Sequence, residues 1–188
     1  MTAVTNDSSY WRAFEENELT HSVAHYLMAI DQLRKEFGYA RVTDVAGKLH
    51  ISRGAASLAL SQLKERKLVT EDPNRFLLLT KAGEILAHSV EHNFAMLTRF
   101  FEGILGVDPD TAREDACKME HLISPESSLA LTRFLNVLFA DPKRIEKISK
   151  EIKASSCSKE SNDSLCEMCK PVGECLLPPE LLDSVQNK

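Results

Sequence analysis

Two short apolar stripes joined by only His50-Ile51-Ser52 constrain this chain more than any other feature of its sequence. Thr43 is placed to cap a helix over Asp44–Leu49, whose Val45, Ala46 and Leu49 share a face. Ser52 is placed to cap another over Arg53–Lys67, with Ala56, Leu60 and Leu63 as its buried stripe. Helices joined this tightly form a helix-turn-helix. The apolar runs Leu68-Val69-Thr70 and Phe76–Thr80 flank the polar stretch Glu71–Arg75, which predicts a strand-turn-strand wing. A helix over Glu18–Phe37 precedes them: Leu19, Val23, Tyr26, Leu27, Ile30 and Leu33 recur at helical spacing, and Gly38 can close it.

Beyond the wing the pattern becomes wholly helical. Lys81–Leu105 offers Ile85, Leu86, Val90, Phe94, Leu97, Phe101 and Leu105 for packing, with Gly106 as its stop. Asp108-Pro109 opens a helix to Leu122, and Ser124-Pro125 opens another to Phe139. These faces exceed what a small head needs, so a homodimer interface is their natural use. The expected fold is mainly α. A winged helix-turn-helix head spans 18–82, a helical dimerisation and metal-binding domain spans 83–148, and a Cys-rich tail spans 149–188.

Charge separates along the chain. The net charge is -5, yet Gln32–Arg75 carries nine Lys/Arg against five Asp/Glu. That imbalance excludes a general nucleic-acid coat and suits a compact head that binds duplex DNA. Ser52, Arg53, Ala55, Ser57 and Ser61 are the candidates for contact along the recognition helix, and Arg41, Lys64 and Arg75 suit phosphates. No apolar run approaches the roughly 20 residues of a membrane span, and Met1–Tyr10 lacks the layout of a secretory leader. A cytoplasmic location is expected.

Cys117, Glu120 and His121 stand at i, i+3 and i+4, a spacing that puts a thiol, a carboxylate and an imidazole on one helix face. Together they make a partial coordination sphere for a divalent transition metal. The same triple also fits a half-buried Cys beside exposed Glu and His. In the first helix His21, His25 and Met28 share a face, and they fit either further ligands or solvated side chains. A nucleophilic role for Cys117 with His121 lacks a third orienting group, and no glycine-rich phosphate loop occurs, so an enzyme is not expected. Cys157, Cys166, Cys169 and Cys175 crowd the tail. Under reducing conditions such thiols point to an iron–sulfur cluster, a structural zinc or an oxidisable segment, and the single Cys-x-x-Cys favours the cluster.

Four segments carry a family resemblance: Phe37-Gly38-Tyr39-Ala40-Arg41-Val42-Thr43-Asp44-Val45-Ala46, the helix start at Ser52, Leu78-Leu79-Thr80-Lys81-Ala82-Gly83, and Glu114-Asp115-Ala116-Cys117-Lys118-Met119-Glu120-His121. Over roughly His21–Phe139 the chain resembles the diphtheria-toxin-repressor and manganese-transport-regulator family of metal-dependent repressors. The resemblance implies a homodimer that binds a divalent metal and then a palindromic operator, with His25, Cys117, Glu120 and His121 as the primary site. It departs from the family in four respects. His25 stands where Met or Asp is usual, and Phe94, Thr98 and Arg113 replace the ancillary ligands, leaving a second site lost or rebuilt from His21, Met28 or His92. The family's C-terminal barrel is not expected, and Leu58 sits where a polar base-reader is common. A thiolate with imidazoles suits Fe(II), Co, Ni or Zn better than Mn, and the family's Cys-containing iron sensors make Fe(II) the first choice. The alternative is a winged-helix redox or iron–sulfur sensor in which the tail cysteines carry the signal.

Overall fold

The computed structural model describes residues 19–154 together with Lys170. The chain divides into two compact units at Asp141/Pro142. Among the described residues, the first unit holds six helices, α1 (His21–Phe37), α2 (Val42–Lys48), α3 (Arg53–Glu65), α4 (Lys81–Gly103), α5 (Pro109–Met119) and α6 (Pro125–Phe139), and a hairpin of β1 (Val69–Glu71) and β2 (Leu77–Leu79). In the second unit α7 (Pro142–Ala154) carries Ile145, Ile148 and Ile152 at helical spacing. The boundary expected at residue 149 falls inside this helix. No described helix is long and apolar enough to cross a membrane.

Local caps set most boundaries. Thr20 accepts from the Val23 N–H at 3.3 Å, and Gly38 closes α1 in the left-handed region at φ 81°, donating to the Arg34 carbonyl. The second helix begins earlier than Thr43 suggests. Arg41 is its N-cap residue, and Asp44 reaches back to accept the Arg41 N–H at 3.0 Å. Asp44 therefore does the work expected of Thr43, because its longer carboxylate spans the first turn. Ser52 caps α3, accepting from Ala55 N–H at 3.2 Å. Asp72 shapes the wing turn, its Oδ1 accepting from Asn74 and Phe76 N–H at 2.9 and 2.8 Å.

The head core joins Leu27, Ile30 and Leu33 of α1, Val45 of α2, Ala56, Leu60 and Leu63 of α3, and Leu77 and Leu79 of β2. β1 pairs antiparallel with β2 in the register Val69–Leu79, Thr70–Leu78, Glu71–Leu77. The hairpin is tied back at both edges. Leu77 N–H donates to the Ala40 carbonyl at 2.8 Å, and the Thr80 hydroxyl donates to the Lys67 carbonyl at 2.7 Å while capping α4.

Helix α4 is common to both halves of this unit. Its start packs on α1 and β2, and its remainder on α5 and α6. Its buried stripe is Gly83, Ala87, Val90, Asn93, Met96 and Leu97, so Ile85 (58% exposed) and Leu105 face outward, contrary to the sequence expectation. Small residues decide this: Gly83 and Ala87 let neighbouring backbone approach closely, and a larger side chain in that row would hold it off. Replacing Gly83 by Ala would drive the new methyl into the Leu68 carbonyl oxygen. Gly83→Ala is expected to destabilise the protein by about 1–3 kcal/mol, read as a lower midpoint in urea unfolding. An unchanged midpoint would mean that this contact relaxes freely.

Candidate metal centre

α1 and α5 each pack along α4 rather than against one another. Where their ends converge, His21 and His25 from α1 meet Cys117 and Glu120 from the end of α5. One donor atom from each of the four lies within 4.8 Å of all the others. Cys117 Sγ is 3.4 Å from His25 Nε2, which is 3.8 Å from Glu120 Oε1. A tetrahedral ion with bonds of about 2.0–2.3 Å holds its ligand atoms roughly 3.3–3.8 Å apart, so these spacings fit one small cation.

The end of α5 positions one of the expected ligands differently from the sequence reading. The helix stops at Met119 rather than Leu122, with Glu120 as its C-cap still in helical geometry. Glu120 thus keeps the i, i+3 relation to Cys117, whereas His121 lies in the following turn. Its ring sits 5.3 Å from that of His21, and the His21 and His25 rings are 4.3 Å apart. His121 borders the four-donor group through His21, and Met28 is half-buried further along α1.

Electrostatics favour a cation at this place. Glu120 is 1% exposed, and its Oε1 has no hydrogen-bond partner among the described residues. Burial alone raises its pKa to about 7. Burial likewise pushes the Cys117 thiol above its ordinary value, with the Glu120 charge adding to the effect. Desolvation, aided by neighbouring imidazoles, lowers both His25 and His121. The imidazoles are therefore neutral near pH 7 and supply no counter-charge to the carboxylate. A buried carboxylate needs one, and a dication among two imidazoles, a thiolate and a carboxylate would provide it. The residues fit the group.

Asn93 was not singled out in the sequence. Its Nδ2 donates to the Glu120 carbonyl at 2.8 Å, and its Oδ1 accepts from the Ser128 hydroxyl at 2.6 Å. It is 4% exposed, so this one amide joins α4 to the end of α5 and the start of α6 and holds the Glu120 backbone in place. A polar residue within the apolar row of α4 was the available signal.

A family model described as "Iron dependent repressor, metal binding and dimerisation domain" matches residues 80–149. The transcriptional regulator MntR of Escherichia coli O157:H7 is 31% identical over 137 residues, covering 71% of this chain and 88% of that protein. The chain belongs to the diphtheria toxin repressor and MntR family. The repressor of Corynebacterium diphtheriae is 26% identical over 125 residues, 66% of this chain and 55% of that one. Among solved structures, the manganese regulator SloR superposes with a TM-score of 0.56 at 30% identity, covering 63% of this chain. The chain spans only 55% of SloR's length.

At the positions of the family's ancillary ligands, Phe94 is half-buried, Thr98 Oγ1 is buried without a hydrogen-bond partner among the described residues, and Arg113 is bonded to Asp110 at 3.2 Å. His92 stands elsewhere, 2.9 Å from the Thr132 hydroxyl. In the head, Arg41, Arg53, Ser57, Ser61, Lys64 and Arg75 line one hollow of about 560 Å³ between α3 and the wing. Lys64 is paired with Glu71 there, which offsets its charge, and the Arg41 guanidinium lies over the rings of Tyr39 and Phe76 at 5.1 and 5.0 Å. Ser52 serves as the α3 cap, and Ala55 is exposed on the outer side of the same helix. Cys157, Cys166, Cys169 and Cys175 lie outside the described residues.

Two measurements test this centre. Metal binding must displace a proton from Cys117 and, below about pH 7, a second from Glu120. The logarithm of metal affinity should therefore rise by about two per pH unit below that pKa and about one above it, measured by calorimetry in buffers of different ionisation heat. A pH-independent affinity would remove both groups from the site. Separately, Asn93→Leu should cost about 2–3 kcal/mol by leaving the Glu120 carbonyl and Ser128 hydroxyl unpaired, read by urea unfolding of the metal-free protein.

Proposed function

We propose that this chain is an Fe(II)-responsive transcriptional repressor that binds a palindromic DNA operator as a homodimer. His25, Cys117 and Glu120, with His21 and His121 beside them, are its metal ligands in this reading. The observation that carries it is the convergence of four donor atoms, within 4.8 Å, from helices that otherwise pack on α4 instead of each other. A divalent ion bound there would supply a second link between α1 and α5.

The protein's own residues make that link consequential. Leu27, Ile30 and Leu33 anchor α1 in the core on which α3 rests, so the placement of α1 and of the recognition helix are coupled. In a dimer, the two recognition helices must stand about one DNA turn apart, ~34 Å. A hundredfold shift toward that spacing requires about 2.7 kcal/mol of differential binding, within reach of one or two ligand bonds. The head at 18–82 would read DNA through Ser52, Arg53, Ala55, Ser57 and Ser61, with Arg41, Lys64 and Arg75 toward phosphates. The segment at 83–148 would dimerise, and the outward side of α6 leaves Leu129, Phe134 and Val137 about half exposed for that use.

The names of the relatives divide between two metals: SloR is called a manganese regulator, and the matching family model an iron-dependent repressor. The donor set of this chain favours iron, since Cys117 offers a soft thiolate that Mn(II) binds poorly. The test is DNA affinity of the full-length protein, measured anaerobically with Fe(II), Mn(II), Co(II), Ni(II) or Zn(II), on a duplex selected from a random pool. Fe(II) should give the tightest binding and Mn(II) the weakest activation. Cys117→Ala and His25→Ala should each weaken Fe(II) binding at least about tenfold. Tightest binding with Mn(II), or full activation of both variants, would overturn the reading.

A further inference from the structure

The recognition helix presents an apolar side chain where charge and hydroxyls would be expected. Leu58 is 65% exposed, more than any other large hydrophobic residue of the described chain. The α3 core stripe of Ala56, Leu60 and Leu63 faces the head, which puts Leu58 on the opposite side of the helix. Gly54 stands one turn before it, Ser61 and Gln62 one turn after it, and all three are exposed.

Gly54 gives a second, independent sign of an absent partner. Gly54 is the second residue of α3, and a methyl added here would meet nothing nearer than the Ser52 hydroxyl at 4.0 Å. Its backbone has no positive φ to accommodate. Neither packing nor conformation within the chain calls for glycine at this position, whereas a surface lying close against the first turn of α3 would. The adjoining hollow, lined by Arg41, Arg53 and Arg75, gives that surface a negative charge. A DNA duplex combines closely spaced phosphates with an apolar group in its major groove, the thymine 5-methyl.

We infer that Leu58 reads a thymine methyl in the major groove, and that Gly54 lets the helix backbone approach closely enough for the contact. This rests on the DNA-binding reading above. It makes Leu58 a specificity-determining residue rather than a source of affinity for every sequence.

The test uses the full-length protein with Fe(II), kept anaerobic, and a duplex selected from a random pool. Each thymine is then replaced in turn by deoxyuridine, which removes only the methyl. At one position per half-site the replacement should weaken wild-type binding about three- to tenfold. Leu58→Ala should lose that sensitivity while binding the deoxyuridine duplex as the wild type does. Leu58→Gln, in a second selection, should favour adenine at the same position. Gly54→Val should weaken all duplexes while leaving the urea midpoint nearly unchanged. Equal deoxyuridine sensitivity in wild type and Leu58→Ala would overturn the inference. So would a uniform loss on every duplex by Leu58→Ala, which would assign Leu58 to contact between protein copies. Failure of the wild type to select any duplex, with any of the five metals, would instead refute the underlying DNA-binding reading.

Discussion

A carboxyl group buried with no cationic side chain beside it among the described residues is the constraint on which the rest of this structure turns. Glu120 is closed off from water, its Oε1 unpaired, and its nearest imidazole is itself held neutral by burial. Removing such a group from water costs several kcal/mol unless a compensating charge arrives. The fold keeps it in place through a network that also joins three helices. Asn93 grips its backbone carbonyl and is in turn fixed by Ser128, whose helix is capped by Ser124. The neighbouring thiol and two imidazoles make up a donor set that suits a soft or borderline dication.

What makes such a site more than a storage place is the route of the chain around α4. This helix carries the core of the head on its first turns and the α5–α6 pair on its later ones, with Gly83, Ala87, Ala112 and Ala116 keeping the packing close. α1 and α5 are thus both fixed to a common support while their ends remain joined mainly by donor groups. Because packed interfaces deform in discrete steps rather than continuously, a small change there can reorient a whole head.

The head itself is built economically. Its hairpin is short, but the Ala40 and Lys67 carbonyls accept from Leu77 N–H and the Thr80 hydroxyl and tie it to the loops on either side, and one Asp72 oxygen closes its turn by accepting two N–H bonds. The recognition helix spends its inner face on Ala56, Leu60 and Leu63 and shows small or hydroxylated residues outward, interrupted by Leu58. The basic residues gather on the hollow beside the wing, so a chain of net charge -5 still offers a positive surface to a polyanion.

The sequence by itself determined whatever depends on neighbours along the chain. Ser52, Asp108 and Ser124 start their helices because a cap acts within one turn, and Cys117 and Glu120 share a side because helical spacing puts them there. Family membership was legible for the same reason, through contiguous motifs. The fold decided what depends on distant partners. It placed His21 inside the donor group and His121 at its border, since α5 ends at Met119. It turned Ile85 outward, and it gave Asn93, a lone polar residue in the buried row of α4, its partners on two other helices. Caps and periodicities are local energies that the order of residues specifies directly. The desolvation of a carboxylate and the meeting of two helices are set by which surfaces exclude water together, and that exists only once the chain has folded.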